Sequence, residues 1–393
     1  ILTIIFSSCS RKEEVLDYVD PFIGTGGHGH TFPGATLPFG MVQLSPDTRK
    51  DSWDGCSGYH YSDSTIMGFS HTHLSGTGVG DYGDIRFMPT TGRLQLDPGI
   101  ESNPASGYRS RFSHEQESAS PGFYSVKLLD YDIDVNLTVS KRVGFHQYNF
   151  PKTDTANVII DLFEGVTSDE IEFLEVEFVN DHAVQGIRKT DGWADDQRVF
   201  FYAEFSEPFD DFGVKKNNTF RKTRDKVYGD KIKAFVRYYH DVPDKLMVKV
   251  GVSFVDVKGA KQNLETEIPG WNFRHVKKEA RKTWAKKLNK IRVKGDKERM
   301  KVFYTALYHS YIAPNLFQDV DGRYRGHDGK IHTNTKFNMY TVFSLWDTFR
   351  AEHPLMTILE PDITNDFIRS MLDQYEKADC CLFGNWQGTR PIA

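Results

Sequence analysis

Alternation of apolar and polar positions dominates the first two-thirds of the chain. In IDVNLTV, Ile133, Val135, Leu137 and Val139 fall on one face, the period of a half-buried strand. LMVKVGVSF repeats the pattern with Leu246, Val248, Val250, Val252 and Phe254, and VFFYAEF and NVIIDL read as further strands. Turns rich in Gly, Pro and Asp separate these runs, which predicts a large antiparallel β-sandwich over residues 11–265. After EIPG at 267–270 the period changes. Trp271, Val276, Ala280, Trp284, Leu288 and Ile291 fall at helical spacing among lysines, which predicts a helical linker over 266–295.

A second helix is predicted from the stripe Met300, Phe303, Tyr304, Leu307, Tyr308 and Tyr311, with Asp296 as N-cap and Pro314 beyond its end. One helical stretch surrounds SLWDTFRAE, and a last one carries Ile363, Phe367, Ile368, Met371, Leu372 and Tyr375 on one face. These helices make 296–377 the start of an α domain whose apolar faces find few partners in the chain. Phe303, Leu307, Tyr311, Phe367, Met371 and Leu372 are therefore expected to stand uncovered, with the C-terminal third poorly folded.

Composition adds modest limits. The 393 residues suffice for two or three domains, and 39% hydrophobic with 26% charged residues is ordinary for a globular protein. A net charge of -5 argues against nucleic acid as a partner, since phosphate binding needs concentrated Lys and Arg. The 18 Tyr and 29 Phe are explained by bulky β cores before they are explained by platforms for sugar rings. The opening ILTIIFSSCSRKEE resembles the end of a bacterial lipoprotein signal, with residues 1–10 its remnant and Cys9 the lipidated position. Its apolar run is too short to span a bilayer, so the expected membrane contact is the lipid anchor alone, in the periplasm or at the outer-membrane surface. Cys56 is the one cysteine inside globular sequence, which excludes a disulfide framework there.

Candidate chemistry lies in three stretches. Residues 20–48 are rich in Gly and Pro and predict a long structured loop; GTGG there lacks the flanking strand, helix and Lys of a phosphate loop, and His28 and His30 lack a clear acidic partner. In residues 51–78, His71 and His73 have a spacing that zinc sites use, but no third ligand is identifiable, and hydrogen-bonded histidines in a polar cleft are the commoner outcome. Cys56 near His60 lacks the oriented third group of a thiol nucleophile, while Trp53 either caps a core or stacks on a sugar. In FSLWDTFRAEHP, Trp346, Asp347 and Arg350 fall within one helical turn. Spacing alone favours an Asp–Arg pair beside a core tryptophan over a carboxylate and an indole that hold a sugar.

Together, YVDPFIGTGG, SGYHYSDSTIMGFSHTHLSGTG, DYGDI and FSLWDTFR, in this order, closely resemble glycoside hydrolase family 92, over residues 18–377. The resemblance implies a calcium-dependent, inverting exo-α-mannosidase acting on mannose-containing glycans, N-glycans or mannans, with α-1,2-like preference. It implies a β-sandwich, a helical linker and an (α/α)6 barrel, with the sugar pocket between the two domains. Trp346 and Asp347 would contact the non-reducing mannose, and Trp53 would reach in from the sandwich. Roles for His28, His30, His71 and His73 do not follow from it.

In the family the helix ending QYEK is followed by GG…LPIW. Here the tail over 378–393 differs, and a codon choice for ADCCLFGNWQGTRP exists that restores Gly-Leu-Leu-Pro-Ile-Trp when read two bases later. A frameshift near Ala378 is therefore expected, with Cys380 and Cys381 out of frame. The family's acid, base and most calcium ligands would lie in later barrel segments. No acidic residue is assigned a catalytic role here, no metal ligand is assigned, and the chain as given is expected to be inactive. A non-catalytic glycan-binding surface lipoprotein is the alternative, and a zinc hydrolase built on His71 and His73 is a third.

Overall fold

The computed structural model describes residues 14–167 and 170–378. Two antiparallel sheets stack as the predicted sandwich. The nine-stranded sheet runs, in spatial order, Val227–Gly229, Glu170–Phe178, Ala183–Asp191, Gln197–Phe205, Lys245–Ser253, Val143–Asn149, Ile133–Val139, Phe123–Leu128 and Glu117–Ser120. The eight-stranded sheet runs Ala35–Thr36, Gln43–Asp47, Gly68–Ser70, Arg86–Thr91, Ala156–Asp161, Ile232–Tyr238, Asp211–Lys216 and Thr219–Arg221. The alternating residues predicted to face inward do so: Ile133, Val135, Leu137, Leu246, Val248, Val250 and Val252 are all fully buried. The stretch expected to be loop over 20–48 contributes two of these strands. Its polar-looking QLSPD segment is buried at every position because it pairs inside the sheet with residues 68–70.

Helix α1 (Val257–Glu267) was not anticipated; its segment had been read as part of the β run. Asp256 caps it by accepting from Gly259 N at 2.6 Å, and Ala260 and Leu264 pack on the nine-stranded sheet. The approach is close enough to require glycine at 251, where a Cβ would stand 2.2 Å from Ala260 O. Helix α2 (Phe273–Leu288) buries Trp284 completely, its indole N–H donating to Thr36 O at 2.8 Å. Helix α3 (Lys297–His309) starts at the predicted cap, Asp296 accepting from Arg299 N at 3.0 Å. The single stretch expected around SLWDTFRAE is instead two helices, α4 (Leu345–Thr348) and α5 (Glu352–Leu359), separated by a turn at 349–351. Helix α6 (Pro361–Lys377) follows.

The expectation of uncovered stripes needs correction. Leu307, Tyr311 and Phe367 are buried, because the N-terminal loop reaches across and covers them. Phe39 lies between them, its ring 5.3 Å from those of both Tyr311 and Phe367, and Tyr18 stacks on Tyr304 at 5.9 Å. The main hydrophobic core thus runs from the sandwich into α2, α3, α5 and α6, while a smaller cluster lies between the nine-stranded sheet, α1 and the start of α2. Leu372 fits the expectation, being 55% exposed. Among the described residues, no helix is long and apolar enough to cross a membrane.

Candidate functional site

A cavity of about 410 Å³ opens between the sandwich loops and the helices. One wall is Thr31 and residues 75–77; the other comes from the end of α3 (His309, Ser310), the strand-to-helix approach (Val342, Ser344), and α4 and α5 (Asp347, Glu352, His353). Backbone pairing holds the loop wall in shape: Gly76 N donates to His30 O at 2.7 Å, and Gly76 adopts φ +75°. Gly24, at φ +91°, lets the 24–31 turn pass beside the His309 ring, 3.6 Å from where its Cβ would be.

Of the residues singled out by sequence, Asp347 lines this cavity. Its carboxylate accepts from Ser344 Oγ, while the Arg350 guanidinium lies over the Phe349 ring at 5.3 Å. Trp346 is 76% exposed. Neither half of the arrangement favoured by spacing, an Asp–Arg pair beside a core tryptophan, is present. The reason is the short length of α4, which ends at Thr348 and leaves Trp346 no helix face to bury against. Trp53, 58% exposed, packs edge-on against His30 at 4.4 Å, and its indole nitrogen stands 3.2 Å from where a Gly78 Cβ would be. Trp53 itself does not line the cavity; His30 and Gly78, which it touches, are the chain neighbours of the lining residues Thr31 and Thr77. The acidic partner of His28 that the sequence did not reveal is Asp54, next to Trp53, at 2.5 Å.

His71 and His73 lie in the core rather than in a cleft. His71 bonds Ile85 O at 2.7 Å through Nδ1 and His146 Nε2 at 3.0 Å through Nε2. His73 bonds Gln43 O at 2.8 Å through Nδ1 and Asp47 at 2.9 Å through Nε2. With both ring nitrogens of each engaged in protein hydrogen bonds, neither offers a lone pair to zinc. Asp47 is in turn clamped by Arg86 at 2.7 Å, a fully buried ion pair behind the Trp53 loop. Cys56 donates to Thr77 O, and burial pushes its thiol up to about 11, which makes it a poor nucleophile. Cys9 and residues 379–393 lie outside the described residues.

Three wall residues escaped sequence reasoning: His309, Glu352 and His353. Burial pushes the Glu352 carboxyl up to about 7 and draws His309 down to about 4, and it also lowers His353. These are desolvation effects, created by packing between segments distant in sequence, so no local motif announces them. Perturbed groups converging on one cleft make it the candidate functional site.

Comparison with known proteins identifies the family. The description "Glycosyl hydrolase family 92 N-terminal domain" matches residues 18–253, and "Glycosyl hydrolase family 92 catalytic domain" matches residues 259–389. A family GH92 α-mannosidase from Bacteroides thetaiotaomicron is similar at 36% identity and TM-score 0.90, over 94% of this chain and 50% of that one. An inverting GH92 mannosidase from Bacteroides thetaiotaomicron VPI-5482 is similar at 28% identity and TM-score 0.82, over 94% of this chain and 49% of that one. An uncharacterized secreted glycosidase of Arthroderma benhamiae is 26% identical, over 82% of this chain and 44% of its own length. The chain spans about half the length of these relatives. With both domain descriptions matched in order across the sandwich and the helices, the chain belongs to glycosyl hydrolase family 92.

Proposed function

We propose that the cleft is the non-reducing-end mannose subsite of an exo-acting, inverting α-mannosidase of N-glycan or mannan breakdown, with α-1,2-like preference. The observation that carries this reading is Asp347, a carboxylate in the wall of a cleft between sandwich and helices. It occurs in a fold shared with a 36%-identical α-mannosidase whose complex with mannoimidazole has been solved. Asp347 would accept hydrogen bonds from two sugar hydroxyls, and the exposed faces of Trp346 and Trp53 would pack on the C–H faces of the pyranose rings. Inverting hydrolysis further needs a protonated carboxyl at the leaving oxygen and a carboxylate at the attacking water. Those two roles are not assigned to any residue here.

Calcium is implied by the family resemblance. Among the described residues, no group of three or more His, Cys, Asp or Glu side chains could hold a metal ion. The described residues therefore do not fit the ion, and no step is derived through it. Export is supported by the secreted Arthroderma benhamiae relative, and lipidation at Cys9 by the signal-like opening.

The direct test is titration of the chain with mannoimidazole, followed by tryptophan fluorescence. Binding should weaken at least tenfold in Asp347→Asn and in Trp346→Ala. Unchanged affinity in both variants would overturn the assignment of the subsite. Binding without mannose release by a full-length, calcium-supplied homologue-length protein would favour the glycan-binding lipoprotein instead.

A further inference from the structure

The net charge of -5 hides an uneven distribution. Residues 273–301 hold 13 Lys and Arg against three Asp and Glu, whereas the rest of the chain holds 36 against 51. Much of the surplus belongs to α2, whose apolar residues Phe273, Ala280, Trp284 and Leu288 face the core. At about 3.6 residues per turn, Arg274, Lys278, Lys282 and Lys286 form a row on the opposite side, about 18 Å from end to end, and all four are exposed. Glu279 is the only acid in α2, and Lys282 already holds it at 2.6 Å. Arg274, Lys278 and Lys286, together with the exposed Arg292 and Lys294 of the connection to α3, make no ion pair among the described residues. A face that merely meets water mixes both signs. Here each neighbour four residues along the row is another base, and their repulsion weakens the helix.

We propose that the outer face of α2 is an electrostatic docking surface for an anionic lipid bilayer, on which the helix lies parallel to the membrane plane. A row of cations matches a sheet of phosphates, where each Lys or Arg strengthens attachment about fivefold. The row contains no large apolar side chain, so contact is made through charge and is reversible rather than inserted. Lipid is chosen over other polyanions because of where the chain starts. Arg281 of α2 holds Glu14 at 2.8 Å and Asp17 at 3.2 Å. Cys9 precedes Glu14 by five residues, which reach at most about 18 Å in any conformation. A lipid carried there would enter the bilayer beside α2, and one acyl signal needs a second, such as a basic patch, for stable attachment. The inference rests on the lipidation reading for that choice alone; the charges stand without it.

The experiment sediments the unlipidated chain with vesicles of phosphatidylcholine, alone or mixed with phosphatidylglycerol. It is run at about 0.1 M and about 1 M salt, between which the screening length shrinks from about 10 to about 3 Å. Wild type should bind the anionic vesicles at the lower salt at least tenfold more tightly than at the higher salt, and than it binds neutral ones. Arg274→Glu/Lys278→Glu/Lys286→Glu breaks no ion pair and sets a Glu four residues from Lys282 on both sides. It should therefore melt no lower than wild type, yet bind anionic vesicles at least tenfold more weakly. Lys152→Glu/Lys226→Glu/Lys245→Glu makes the same change in net charge on exposed lysines of the sandwich and should stay within about threefold of wild type. If the helix variant fails to melt cooperatively, Lys278→Gln/Lys286→Gln takes its place. Equal binding of wild type to neutral and anionic vesicles refutes the surface, as does equal loss in both triple variants. Release of wild type from the vesicles by DNA at equal phosphate concentration overturns lipid as the occupant. Loss of vesicle binding while Cys9 still takes up labelled fatty acid in cells overturns the surface and leaves the anchor. Intact vesicle binding with no label at Cys9 upholds the surface and overturns the anchor.

Discussion

Acid should destabilise this protein through two histidines that touch no ligand. Between the sheets, Ile85 O can only accept, so His71 Nδ1 carries the proton and His71 Nε2 is left as an acceptor. His146 Nε2–H therefore donates to it, and His146 Nδ1 accepts from the Tyr148 hydroxyl at 2.9 Å. The chain of bonds is complete only while both rings are neutral, since a proton added to either sets N–H against N–H or strands a buried charge. Burial draws His71 down to about 4 from 6.5 and draws His146 well down too, with the neighbouring His71 adding to the effect on His146. Above pH 6.5 both rings are neutral in the folded and unfolded chain. As the pH falls from 6.5 towards 4, the unfolded chain takes up protons that the folded chain refuses, so stability is lost across that window. For His71 alone the displacement corresponds to about 3 kcal/mol. The assay is urea unfolding at pH 7.5, 5.5 and 4.5 for the wild type and for the double variant His71→Leu/His146→Leu. Carboxylates and His309 titrate in both proteins and cancel in the difference. The double variant should lose at least about 3 kcal/mol less than wild type between pH 7.5 and 4.5. Identical pH slopes would refute the assignment of neutral, buried rings.

Three further outcomes follow from the geometry. Arg86→Met strips the buried Asp47 of its cation and should cost about 3–5 kcal/mol by urea unfolding, with much of this recovered in Asp47→Leu/Arg86→Met. Glu352→Gln should raise the melting temperature at pH 8 and leave it unchanged at pH 4. Burial raises the folded carboxyl to about 7, so its contribution falls as pH rises from 4.5 to 7 and the unfavourable charge is present only above that. Gly251→Ala puts a Cβ 2.2 Å from Ala260 O, so α1 must lift from the sheet; exchange of the amides of 257–267 should accelerate at least tenfold, and unchanged protection would show that the helix is not seated as described.

What the sequence disclosed and what it withheld divides along physical lines. Strands such as 133–139 and 245–253 were legible because a two-residue period on a half-buried sheet is a local property. The cap at Asp296 was legible for the same reason. Helix α1 was not, because it buries only Ala260 and Leu264 of its apolar residues and carries a glycine in its first turn. The turn at 349–351 carries neither Gly nor Pro, so the broken helix read as one. Asp347, which lines the cleft, was singled out through its motif, as were Trp346 and Trp53, which do not line it. Their exposure was not, nor were His309, Glu352 and His353, whose chemistry is made by neighbours rather than by their own sequence. Asp47 read as part of a loop, and nothing local singled out Asp84 or Arg188 as buried charges. They are buried because partners as distant as the 104 residues between Asp84 and Arg188 converge on them.

The N-terminal loop that carries Phe39 also sets a schedule for synthesis. Asp20 N finds its partner, Thr305 Oγ1, 285 residues downstream, and the rings that flank Phe39 come from just past the end of α3, from α6 and from the approach to α4. At ordinary translation rates that partner emerges roughly 15–60 s after the loop itself. Throughout that interval the sandwich can zip its hairpins, the strands at 35–36 and 43–47 among them, but Asp20 and Phe39 wait for their partners in the helices. A segment that leaves the ribosome long before its partners is thus among the last to be fastened, and a holding factor or a pause would act on Asp20 and Phe39 while those partners are still being made.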